Sequence, residues 1–167
     1  YPKEKLEILR ANGTDMDAFY EKTLNRLGKL LDIPVTHMGL LYWNRDVTNV
    51  SREVLMERVA KAMEAPRWIM DGNYLATMEQ RLTPCDTVFF LDYSVEQCLA
   101  GVRQRKGQIR SDIPWVETEE DPEFMDQIRN FPCQERPRIE ELLASASDKT
   151  VIRFRTRQES EEWLQSL

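Results

Sequence analysis

The sequence predicts a three-layer α/β/α fold around about five short parallel strands, and three observations carry that expectation. Two apolar runs, Trp68-Ile69-Met70-Asp71 and Val88-Phe89-Phe90-Leu91-Asp92, have the length of buried strands and end in aspartate. Strand-like and helix-like segments alternate along the chain, which in one sheet calls for parallel strands joined by helical crossovers. Helix starts follow two of the strands: Ser94 with Gln97, and Thr156 with Glu159, have the spacing of a capping box.

Lys5 to Leu9 reads as the first strand, closed by turn chemistry over Ala11-Asn12-Gly13-Thr14. Phe19, Leu24, Leu27, Leu30 and Leu31 make a helical stripe over residues 17–31. Ile33 to His37 is a brief second strand. Ser51 caps a helix carrying Val54, Leu55, Val59 and Met63, stopped at Pro66. Strand 67–71, a helix near 75–82 and strand 87–92 follow, and Ser94 opens a helix through Arg103 or Arg105. The stretch from Lys106 to Pro122 is polar and contains Gly107 and Pro114, so it reads as a loop or lid. Segments 122–129 and 137–145 are helical, separated by a break at Pro132. Val151 to Phe154 is the last strand, and the helix after Thr156 turns Trp163 inward. No repeat or second domain is visible, so residues 1–167 form a single domain with a lid at about 104–135.

Bulk properties narrow the function classes. A net charge of -6 disfavours a nucleic-acid binder, which needs a basic face. No apolar stretch approaches the roughly 20 residues of a membrane span, and Tyr1 to Arg10 is too charged for a signal peptide. Cys85, Cys98 and Cys133 lack metal spacing and read as reduced thiols, two of them in the core, of a cytoplasmic protein.

Asp71 and Asp92 fall at strand ends, where a parallel sheet forms its ligand crevice. Carboxylates there hold Mg²⁺ beside a phosphate, or serve only as turn residues; both readings stand. Arg103, Arg105 and Arg110, with Lys106 among them, are a basic island suited to phosphate, or to pairing with Glu117, Glu119, Glu120 and Asp121. His37 is the only histidine, which excludes multi-histidine metal sites. Tyr42, Trp43 and Trp115 suit either ring stacking or packing.

His37 to Trp43, Trp68 to Tyr74, Phe90-Leu91-Asp92, Arg103 to Asp112, Asn130-Phe131-Pro132 and Arg136-Pro137 together resemble a known family. The resemblance is to P-loop kinases of the nucleoside-monophosphate-kinase type, within the adenylate-kinase-related group labelled DNA topology modulation proteins. It runs from about residue 27 to the C-terminus, and implies a P-loop NTPase-like fold and phosphoryl transfer from ATP to a small acceptor such as a nucleotide. It implies Asp71 as the carboxylate serving Mg²⁺, and Arg103, Arg105 and Arg110 as lid arginines over the phosphates. It places His37, Asn73, Tyr74 and Arg81 on the acceptor side, and the Thr156 loop against adenine. ATP and Mg²⁺ are the cofactors it implies for an active enzyme, with a small phosphate compound as partner.

The N-terminal region departs from that pattern. The family has Gly-x-x-x-x-Gly-Lys-Ser/Thr, whose amides and lysine cradle phosphates. With Gly13 and Thr14 aligned inside the loop, Arg10 replaces the first glycine, Asp15 the second, Met16 the lysine and Asp17 the hydroxyl residue. Gly39 likewise stands where the family has the aspartate of His-x-Asp. Two added carboxylates and a lost cation oppose a triphosphate by a few kcal/mol each at about 4 Å. The sequence therefore carries two readings: an ATP-dependent phosphotransferase, and an impaired kinase-fold protein that keeps an anion or ligand site and uses no cofactor.

Overall fold

Every pairing among the strands is parallel. The computed structural model describes residues 5–10, 33–109 and 113–166. Strands β1 (Lys5–Arg10), β2 (Val35–His37), β3 (Trp68–Asp71), β4 (Thr87–Leu91) and β5 (Thr150–Phe154) form one sheet in the order β2-β3-β1-β4-β5. Every residue of β3 and β4 is buried, because these strands lie inside the sheet with both faces covered. Trp68, Phe89 and Phe90 are among the largest fully buried side chains, each contributing about 1.5–3 kcal/mol over an exposed position. The expected parallel α/β architecture is what forms.

Among the described residues the helices are α1 (Met38–Tyr42), α2 (Arg52–Ala62), α3 (Leu75–Leu82), α4 (Val95–Gln104), α5 (Pro122–Gln134), α6 (Arg136–Ala144) and α7 (Arg157–Gln165). Their starts follow the sequence signals. The Ser51 hydroxyl accepts from the Val54 amide at 3.2 Å, and Ser94 from Gln97 at 3.2 Å. Thr156 accepts from the Glu159 amide at 3.1 Å, while the Glu159 carboxylate accepts from the Arg155 amide at 2.7 Å. Trp163 on α7 packs its ring against Phe89 and Phe154, at 5.3 and 5.7 Å between centroids.

Two boundaries differ from expectation. Helix α5 continues through Pro132, and the break comes at Glu135 instead. Proline there removes one bond to the Ile128 carbonyl, but Met125, Ile128 and Phe131 are all buried along α5 and hold the helix together. Helix α1 was not foreseen: it has five residues and no capping side chain, so the chain gives no local start signal. The expected helix at 17–31 lies outside the described residues. Cys85 and Cys98 are buried, Cys133 is exposed, and none of the three is in a disulfide. Among the described residues no helix is long and apolar enough to cross a membrane.

From β1 the chain passes toward one edge of the sheet, to β2, and from β4 toward the other, to β5. Connections that diverge in this way open a crevice at the carboxyl ends of the central strands. Asp71 ends β3 and Asp92 follows β4, so both stand at that edge.

Candidate active site at the carboxyl edge of the sheet

His37 and Asp71 are opposite one another in the β2–β3 ladder. The imidazole Nδ1 lies 3.3 Å from the Asp71 carboxylate, whose side chain is 1% exposed against 14% for the ring. With a proton on Nδ1 the ring donates to this carboxylate and fixes its orientation.

Beyond Asp71 the backbone turns sharply. Gly72 has φ 131°, and a Cβ placed there would stand 2.6 Å from the Cβ of Met38. Only glycine fits, on both counts. Tyr74 has φ 42° and ψ 74°, a left-handed conformation uncommon for a side-chain-bearing residue, and it begins α3. Asn73 between them is largely buried. Arg81 is fully buried near the end of α3. Its guanidinium donates to the carbonyls of Gly72 (2.8 Å), Asn73 and Tyr74 (3.5 Å), and its Nε to the Thr77 hydroxyl at 3.2 Å. His37, Asp71, Asn73, Tyr74 and Arg81 thus gather around the end of β3.

The arginines that the resemblance assigns to a lid divide. Arg103 is exposed and donates to Glu120 at 3.1 Å, while Arg105, at the C-cap of α4, is 3% exposed. Two positions apart on a helix point about 200° apart, which explains the divergence. The Gly107 amide donates to the Glu117 carbonyl at 2.6 Å, so the stretch before α5 is tied back to the end of α4 at two points. Thr156 serves as the cap of α7. Arg110, Gly13 and Thr14, together with Asp15, Met16 and Asp17, lie outside the described residues.

Sequence reasoning singled out Asp92 but missed its partners. Arg136 holds one Asp92 carboxylate oxygen at 2.7 and 3.0 Å, and Arg155 approaches the other at 3.8 Å. One buried carboxylate therefore joins the end of β4, the start of α6 and the residue after β5. Separations of 44 and 63 positions leave no local signature of this meeting. Each aromatic candidate also finds a neighbour. Ring centroids run from Tyr74 to Tyr42 (5.0 Å), Tyr42 to Trp43 (4.9 Å) and Trp43 to Trp115 (5.2 Å). These half-buried rings connect the turn after β3 with the stretch that precedes α5.

The donor set at Asp71 is a lone carboxylate. Among the described residues no group of three or more His, Cys, Asp or Glu side chains could enclose a metal. A single strand-end carboxylate matches Mg²⁺, which keeps several waters and shares phosphate oxygens with its protein ligand. Asp71 would hold it, directly or through water.

No family model matches the chain, and no curated protein matches it. Solved structures do. Shikimate kinase from Bacteroides thetaiotaomicron matches with a TM-score of 0.59 at 14% identity, over 99% of this chain and 96% of that one. Deoxyadenosine kinase from M. mycoides, a structure with bound dATP, matches with a TM-score of 0.52 at 10% identity, over 97% of each chain. Together with the strand order, these likenesses show that the chain shares the α/β fold of these two kinases.

Proposed function

We propose that the protein is an adenylate-kinase-like phosphotransferase that moves a phosphoryl group from ATP to a small acceptor, such as a nucleotide. The observation carrying this reading is Asp71: a buried carboxylate at the crevice end of β3, oriented by His37 and followed by a strained turn. Strain held beside a carboxylate marks a working site more often than an ordinary loop. The bound dATP of one neighbour supports a nucleotide ligand.

In this reading Asp71 serves Mg²⁺, which when bound offsets charge on the transferring phosphoryl group. His37, Asn73 and Tyr74 face the acceptor. Arg103, Arg105 and Arg110 supply positive charge to the phosphates, which requires Arg103 to leave Glu120. Gly13 and Thr14 meet the donor phosphates, and the Thr156 loop the adenine. The chain is one domain with a lid at about 104–135, working in the cytoplasm. Its kinship is with the group labelled DNA topology modulation proteins, with an altered phosphate loop.

A second reading is an impaired kinase-fold protein that retains only an anion or ligand site. Met16 in place of lysine and the Arg103–Glu120 contact favour it. Calorimetric titration with ATP and Mg²⁺, beside the Met16→Lys/Asp15→Gly/Asp17→Ser variant, separates the two. A dissociation constant near ~10 μM, about -7 kcal/mol, supports the phosphotransferase. Binding that appears only in the variant supports the impaired protein.

A further inference from the structure

The geometry points to Arg81 as a positioning residue that sets the turn between Asp71 and α3, rather than a group that touches the acceptor's phosphate. The functional consequence rests on the phosphotransfer reading above; the structural assignment does not. Arg81 is 0% exposed, so no ligand reaches its guanidinium without opening the fold. Its donors are directed at the carbonyls of three consecutive residues, Gly72, Asn73 and Tyr74. The side chain runs back along α3, as helical side chains do, and meets Thr77 one turn earlier through Nε. Thr77, also 0% exposed, in turn donates from its hydroxyl to the Tyr74 carbonyl at 3.3 Å.

Such an arrangement has a clear physical task. Gly72 at φ 131° and Tyr74 at φ 42° are conformations that a free chain rarely holds, and Tyr74 carries a side chain. They persist when the surroundings over-determine them. A planar fork of five donors can satisfy several carbonyls at once, and burying a cation is tolerable only with such charge-assisted bonds. Lysine, a point charge on a flexible stem, cannot span the same three acceptors. Arg81 therefore fixes the backbone from Gly72 to Tyr74, and with it the placement of the Asn73 and Tyr74 side chains next to Asp71.

Amide hydrogen exchange on the parent, Arg81→Lys and Arg81→Ala tests the assignment, with AMP as the acceptor probe and methylguanidine as a rescue agent. In Arg81→Lys, exchange at residues 73–77 should rise by about tenfold while Val88 to Leu91 keep parental protection. Methylguanidine should restore protection at 73–77 in Arg81→Ala and leave Arg81→Lys unchanged. If Arg81→Ala does not fold, Arg81→Lys decides alone. Parental exchange at 73–77 in Arg81→Lys overturns the assignment, as does acceleration that is equal in the turn and in β4. AMP affinity lost from Arg81→Lys without any change in exchange would show a direct phosphate contact and also overturn it. A parent that binds neither ATP nor AMP counts against the phosphotransfer reading alone.

Discussion

His37 and Asp71 close the ends of β2 and β3 as direct ladder partners, with imidazole and carboxylate 3.3 Å apart. The strand that contributes least backbone to the sheet thus supplies the side chain that orients a carboxylate only 1% exposed. Asp71→Asn keeps the shape and removes the charge. ATP- and Mg²⁺-dependent transfer should fall at least ~100-fold, equivalent to about 2.7 kcal/mol, with little change in urea midpoint. His37→Ala removes the hydrogen bond to Asp71 and should cost about 1 kcal/mol in stability and less in rate than Asp71→Asn. A parental turnover rate in Asp71→Asn would exclude this carboxylate from the chemistry.

Asp92 gives a contrast between two arginines on one carboxylate. Arg136 holds it closely and is 30% exposed, whereas Arg155 is 3.8 Å away and 67% exposed. Arg136→Ala leaves a buried charge poorly compensated and should cost about 3 kcal/mol, the low end for a broken buried pair. Arg155→Ala should cost less than about 1 kcal/mol. Equal losses in urea unfolding would mean that both contacts carry the same weight, contrary to their geometry.

Two glycines with positive φ should respond differently to alanine. At Gly72 the added Cβ meets the Met38 Cβ at 2.6 Å, so Gly72→Ala should lose about 2–4 kcal/mol by combined strain and overpacking. Met38→Ala cannot relieve it, because the clashing atom is retained. At Gly107 nothing lies within 4 Å, so Gly107→Ala should cost only about 1 kcal/mol through its φ of 79°. Thermal unfolding of the two variants, run side by side, checks the ranking.

Tyr93 makes stability depend on alkaline pH. Burial, partly offset by the 2.8 Å hydrogen bond with Ser160, pushes its phenol up from 10.0 to about 12. The folded state then keeps a proton that the unfolded chain releases. Its stabilising effect is complete below pH ~10 and is lost as pH rises toward ~12, at most about 3 kcal/mol. In a base titration followed by phenolate absorbance, one tyrosine should ionise last, near unfolding. Tyr93→Phe should abolish that late step and flatten the fall in stability. An unchanged profile would assign the alkaline loss to other groups.

The strands and most helix starts were legible because their signals are local. Four or five apolar residues in a row declare β3 and β4, and Ser51, Ser94 and Thr156 cap the helices that their spacing announces. Asp71 with its turn was legible for the same reason: an Asp-Gly pair directly after a buried strand. What escaped depends on tertiary packing. Nothing near Pro132 tells that three buried side chains will carry α5 past it. The resemblance puts Arg81 on the acceptor side, and nothing local announces its burial or its three carbonyl partners. The Arg136–Asp92 pair and the Trp43–Trp115 contact join distant positions and leave no periodic trace.

The strand order places β2 and β5 at the margins of the sheet, where unpaired backbone groups can recruit another chain. β2 offers only three residues before the chain turns into α1, too short a template for a further strand. β5 is longer, but Arg153 within it is held by Glu140 at 2.5 Å and lies over the Phe90 ring, with its guanidinium carbon 5.0 Å from the centroid. That side chain therefore leans inward over β4 and covers the face of the sheet beside its margin. The β2 margin is thereby a poor template for edge-to-edge aggregation, while the apolar strands most prone to it, β3 and β4, stay enclosed between their neighbours.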